Sequence, residues 1–250
     1  MTRATRSRKV QILSGFLAVL MLLASPGAAT AGPDEARRLI LPFFQLLGFR
    51  TTPMIVNADT ENVTIRHRCW DNFGILRLDK TFVVPAASVD FLNLDDINDE
   101  YGHCEYEVLD GLEISVAAFI EGLFGGQPVK AIVNGQSGMM TNDGGSFWME
   151  DQSRRTFAFV TNPTDSRVAF FVSMLAAGFL LQQFVANLGP RESILFEYPP
   201  VPGATSGAVD FSMDRGGIVG WTVLLALLAG IFTLQAIEFA GQDDGYVPLQ

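Results

Sequence analysis

The chain has 250 residues, with 17 Lys and Arg against 27 Asp and Glu, a formal net charge of −10, and 48% hydrophobic residues. That acidic excess makes nucleic acid and anionic membrane surfaces poor partners. With two histidines and no Gly-x-Ser-x-Gly elbow, P-loop, dinucleotide fingerprint or His-Glu-x-x-His motif, the expectation is a protein that is not an enzyme and needs no cofactor.

At the N-terminus, Arg3, Arg6, Arg8 and Lys9 precede the apolar run Ile12 to Ala24, and Ala29-Thr30-Ala31 supplies the small residues of a cleavage site. Residues 1–31 therefore read as a cleaved secretory signal peptide, which predicts a periplasmic or extracellular protein. Its removal takes away those four cations, leaving 13 Lys and Arg against 27 acids, a net charge of about −14. The two cysteines, Cys69 and Cys104, then lie where disulfides persist.

Thr52 to Val56 reads as a strand, followed by turn chemistry at Asn57-Ala58-Asp59-Thr60 and a second strand from Val63 to Trp70. Alternation on this second strand places Val63, Ile65, His67 and Cys69 on one face and Thr64, Arg66, Arg68 and Trp70 on the other. Ile75 to Val84, Ser88 to Leu92, Glu105 to Leu109, Glu113 to Ile120 and Val129 to Val133 continue the series of short strands. Shifting the sequence by 105 residues then lays Arg50 to Gln136 over Arg155 to Gly241, with fourteen identical pairs that include Thr51/Thr156, Asn57/Asn162, Val63/Val168 and Gly102/Gly207. A period of that length is a whole folding unit and not a solenoid repeat. The expectation is an all-β chain of two tandem β-sandwich domains, residues 39–138 and 144–250, joined through the Gly- and Asn-rich stretch Asn134 to Gly145.

The order of an Asn-rich turn, a strand, a Gly-containing loop, another strand, then Pro-x-x-Ser and a further strand resembles the immunoglobulin-like and fibronectin-III-like modules of exported bacterial proteins. That resemblance implies adhesive, architectural or spacer roles. The antibody-type Cys…Trp…Cys spacing is absent, because Trp70 directly follows Cys69.

The second copy is the less polar one. Ala169, Phe171 and Leu175 stand where the first copy has outward Thr64, Arg66 and Trp70, and Ile218, Thr222 and Leu224 stand in place of Glu113, Ala117 and Phe119. An apolar outer face predicts a covered surface, so these six residues are expected to contact a protein partner or another copy. The rival reading treats 168–190 and 216–237 as transmembrane helices beside one soluble domain. The shared register, Gly178 and the polar Gln182, Gln183 and Asn187 favour strands.

Both cysteines fall in the first copy and are replaced together by Met174 and Val209 in the second, which is what a bonded pair would show. His67, Cys69, His103 and Cys104 also form a candidate zinc or copper set, although a disulfide would remove its thiolates. Asp96, Asn98, Glu100 and Glu107, in an acidic stretch without Lys or Arg, imitate some calcium-loop positions, which makes calcium the remaining candidate ligand.

Overall fold

The computed structural model describes residues 38–248 except 47, 98–99, 125, 152, 229–230, 239 and 242–245, so the expected signal peptide lies outside the described residues. Every regular element described is a β-strand, and all the pairings are antiparallel. The first copy contributes β1 (Arg38–Phe44), β2 (Arg50–Asn57), β3 (Val63–Asp71), β4 (Leu76–Val84), β5 (Ser88–Phe91), β6 (Tyr101–Asp110), β7 (Ser115–Phe124) and β8 (Gln127–Asn134). After β9 (Gly138–Met140), the second contributes β10 (Asp143–Met149), β11 (Arg154–Thr161), β12 (Val168–Ala176), β13 (Phe179–Leu188), β14 (Ser193–Glu197), β15 (Ser206–Arg215), β16 (Val219–Leu228) and β17 (Ile231–Glu238). Two short strands, β18 (Ala240–Gly241) and β19 (Tyr246–Pro248), pair with β10 and β9.

The strand order repeats. The first copy forms sheets β1-β6-β3-β4 and β5-β2-β7-β8; the second forms β13-β12-β15-β10-β18 and β14-β11-β16-β17. In each copy the inward residues of both sheets close on one another, as a β-sandwich requires: Leu41, Ile65, Cys104 and Tyr106 meet Ile55, Val116 and Ala118 in the first, and Phe170, Val172, Val209 and Phe211 meet Ala158 and Val160 in the second. The two uncharged stretches are therefore strands β12 and β13 and strands β16 and β17, which overturns the helical alternative; no described helix is long and apolar enough to cross a membrane.

Three identical pairs have visible causes. The Thr51 hydroxyl accepts from the Phe44 N–H at 2.8 Å and donates to its carbonyl, and Thr156 treats Met149 the same way, which ties the end of one sheet to the start of the other in both copies. Asn57 donates to the Glu61 and Val84 carbonyls and Asn162 to those of Ser166 and Gly189, pinning equivalent turns. Gly102 and Gly207 lie under a neighbouring strand: a Cβ there would stand 2.0 Å from the Trp70 carbonyl oxygen and 1.8 Å from that of Leu175.

The 105-residue register is not gapless. It holds for β1, β2, β3 and β6, where Arg38 faces Glu107 as Asp143 faces Ser212. It slips by one elsewhere: Pro53 faces Ala118 while its equivalent Ala158 faces Thr222, and Met54 faces Phe91 while Phe159 faces Leu195. A slip of one residue exchanges the two faces of a strand. Ile218 and Thr222 are consequently buried inside the second sandwich instead of facing outward, Leu224 shares the inward face of Thr222, and the outward residues of β16 are Val219 and Trp221.

From Ala36 onward the chain clusters as one compact unit. The outer face of β1-β6-β3 lies against the outer face of β11-β16, where Phe159 and Trp221 join the first copy's hydrophobic cluster and Phe159 meets Phe44 edge to face at 5.3 Å. Gln136 exchanges two backbone hydrogen bonds with Ile40 and donates its side-chain amide to the Gly220 carbonyl, so the stretch expected to be a linker is bonded to both copies. Gly102→Ala should lower unfolding stability by about 3 kcal/mol, the upper range for forcing an atom into a packed site, and Gly207→Ala should do the same; chemical denaturation of both variants checks this.

Candidate functional site

Two regions carry unusual chemistry: the polar joint between the copies and the outer face of the second. In the joint, Glu105 on β6 is fully buried and its carboxylate pairs with Arg38 of β1, Arg68 of β3 and Arg191 of the turn before β14. Arg68 also reaches Glu107 at 2.9 Å, and Arg191 reaches Asp165 at 2.7 Å. Arg191 takes a left-handed backbone conformation, φ 59°, as its repeat equivalent Ala87 does at 48°. Its guanidinium lies 5.0 Å over the Trp70 ring, and His103 stacks on the same indole at 5.2 Å. Trp70 points outward from its sandwich, as alternation requires, yet is buried because the second copy covers it.

His103 Nδ1 lies 2.8 Å from the Thr161 hydroxyl and 3.1 Å from that of Ser193, and the two hydroxyls are themselves hydrogen-bonded. Burial first, then the Arg191 and Arg38 charges, lowers its pKa to about 3, so the ring is neutral. On the opposite face of the sheet, His67 stacks on Tyr106 at 4.6 Å and its Nε2 lies 3.0 Å from Cys69 Sγ; burial lowers it to about 3 as well.

Cys69 and Cys104 face each other on β3 and β6 and are joined as a disulfide. His67, Cys69 and Cys104 are the only group with metal-ligand geometry among the described residues, and the bond leaves neither sulfur as a thiolate, so this proximity holds no ion in the oxidised protein. His103 does not join them, because it points into the joint from the other face of β6. Among the calcium candidates, Asn98 lies outside the described residues. Asp96 pairs with Lys80, Glu100 with Arg77 and Glu107 with Arg68, so each of these three carboxylates is engaged by a different cation.

On the second copy, Ala169, Phe171 and Leu175 alternate with the core residues Phe170, Val172 and Met174 and so lie on the outer face of β12, with Phe171 39% exposed. Beside it runs the edge strand β13, joined through a tight turn at Ala177 and Gly178, both with positive φ, where glycine supplies the second left-handed residue. Val185 faces Phe171 across this hairpin and Leu180 faces Leu175; Phe179 is 73% and Val185 54% exposed. The strand, FLLQQFVANL, has no charge along ten residues. Its counterpart β4 carries Arg77, Asp79 and Lys80.

Sequence patterning located the outer face of β12 but missed the joint entirely. A signal for it existed in Trp70, an aromatic residue at an outward position flanked by Arg66 and Arg68. No protein-family model matches the chain, and no curated protein matches it either.

Glu105→Gln should destabilise the fold by about 3 kcal/mol, the lower end for breaking a buried ion pair, because it removes the buried charge shared by Arg38, Arg68 and Arg191 while Arg68 keeps Glu107 and Arg191 keeps Asp165; urea denaturation at neutral pH measures it. A second expectation concerns pH. Both histidines have folded pKa values depressed below the unfolded 6.5, so their contribution is complete above pH 6.5 and is lost as pH falls toward about 3. Unfolding free energy should decline below pH 6.5 by up to about 1.4 kcal/mol per pH unit for each histidine. Denaturant titrations between pH 7.5 and 5 test this, and a flat profile contradicts it.

Proposed function

We propose that this is an exported, non-enzymatic structural or adhesive protein of the cell envelope or an extracellular assembly, built from two immunoglobulin-like β-sandwich units, whose contact surface is the outer face of the β12–β13 hairpin. The observation that carries this reading is the uncharged, apolar edge strand β13 with Phe171, Leu180 and Val185 exposed on one face. Edge strands that stay solvent-facing are normally blunted by Lys, Pro or bulges, because an exposed apolar edge recruits other chains. The β4 edge of the first copy has such charges and β13 has none, within one molecule and at equivalent positions. The non-enzymatic reading is supported by the enclosure of both histidines, which offers neither imidazole to a substrate as a general base. The N-terminal segment and the cysteine pairing support export.

The test is a double substitution, Phe171→Glu with Val185→Glu, in the full-length chain made by its own cell. Cross-linking and fractionation should find wild-type protein in high-mass envelope or extracellular material and the variant free as a monomer. An unchanged distribution, with the variant folded by circular dichroism, would sink the assignment of this surface.

A further inference from the structure

Inside the chain, the outer face of β1-β6-β3-β4 is joined to the outer face of β14-β11-β16-β17. The repeat equivalents of these two joined faces are the outer faces of β10-β15-β12-β13 and of β5-β2-β7-β8, which lie at opposite ends of the stack. Both carry exposed apolar residues: on the first-copy end Phe91 is 61% and Val89 49% exposed, with Phe119 packed beside Phe91, while the Glu121–Lys130 pair lies on the same face toward β8. We propose that these two ends are complementary and that a second copy of this chain stacks head to tail on the first, repeating between molecules the joint that already links the two copies within one. This rests on the contact surface proposed above and names its occupant.

The argument comes from residues that change together on both sides. Inside, His103 meets the hydroxyls of Thr161 and Ser193. By strand register the equivalent of His103 is Ala208, and the equivalents of Thr161 and Ser193 are Val56 and Val89. A polar residue facing two hydroxyls is thus replaced by a methyl facing two β-branched apolar side chains. Trp70 under Arg191 becomes Leu175 opposite Ala87. Leu195, packed in the internal joint, becomes the exposed Phe91. A free surface has no reason to exchange polar for apolar groups at positions that would meet only in an assembly. The acidic pair Asp143 and Asp210 replaces Arg38 and Glu105, with alanine at the position of Arg191, so the outer joint is the weaker of the two. Faces that differ from each other do not close a two-fold dimer; they continue into an open chain unless the rotation closes a ring.

Sedimentation velocity on protein purified from the full-length gene tests this with two variants, Phe91→Glu on one end and Val185→Glu on the other. Wild-type mass should rise with concentration beyond a dimer. Each variant alone should remain monomeric, and an equimolar mixture should form a one-to-one heterodimer through the one intact pair of faces. A wild-type monomer at several hundred micromolar overturns the proposal, as does dimerisation of either variant alone, which would mean a two-fold or edge-to-edge contact, or a mixture that stays monomeric. If either variant fails to fold by circular dichroism, Val89→Lys and Phe171→Lys probe the same two faces. A purified monomer, combined with release of the Phe171→Glu, Val185→Glu protein from the cell fraction, would reject self-stacking and keep the contact surface for a different protein.

Discussion

The arrangement of the whole molecule depends on the buried carboxylate of Glu105. Three arginines converge on it from 67, 37 and 86 residues away in sequence, on β1, on β3 and in the turn before β14. Desolvating these charges is expensive, and their mutual attraction offsets the cost only in one geometry. The neighbouring apolar contacts of Phe159, Trp221 and Phe44 are non-directional and would tolerate sliding of one sandwich on the other. Sliding would part Arg191 from Glu105 and the Trp70 ring, and Arg38 from the Pro163 carbonyl. Affinity therefore comes from the aromatic contacts, and the unique orientation comes from the ion cluster, which explains why two sandwiches that look like beads on a string pack as one unit.

The same distinction between directional and non-directional forces explains what could be read in the sequence. The repeat showed itself through Thr51/Thr156, Asn57/Asn162 and Gly102/Gly207, where a hydroxyl serves a particular N–H and carbonyl, an amide serves particular turn carbonyls, and no Cβ fits. Core positions drift freely between apolar types, as Cys69 to Met174 or Tyr106 to Phe211 do, provided the inward face is kept. Strand alternation placed Val63, Ile65, His67 and Cys69 inside because it depends only on local period, and the joint replacement of both cysteines in the second copy paired them because the repeat keeps its register on β3 and β6. The one-residue slips in the loops leave no local trace. They inverted the expected faces of Ile218, Thr222 and Leu224 even though the strand itself was located correctly.

The joint was illegible for a different reason. Glu105 and Glu107 fall in a stretch whose composition resembles a solvated acidic loop, and nothing nearby in sequence neutralises it. Both are on β6, and the cations that define their roles are supplied by other strands and by the other copy. The histidines were read as potential ligands because each sits next to a cysteine. Adjacent residues on a strand point to opposite faces, so His103 was committed to the joint while Cys104 was committed to the core.

One sequence pattern thus folds twice and meets two different demands. In the first copy the outer face of β3 is occupied by Arg68 and Trp70, which anchor the joint, and the adjacent edge β4 keeps Arg77, Asp79 and Lys80. In the second copy the same face carries Ser173 and Leu175, and the adjacent edge keeps no charge at all. Loss of the anchor alone would leave a bland polar surface; loss of the edge charges alone would leave an aggregation hazard beside a polar face. Losing both leaves an uncharged face on which Phe171 and Val185 are separated from Leu175 and Leu180 only by the Ser173–Gln183 hydrogen bond, and an exposed apolar face of that kind is the pattern of surfaces that bind other chains.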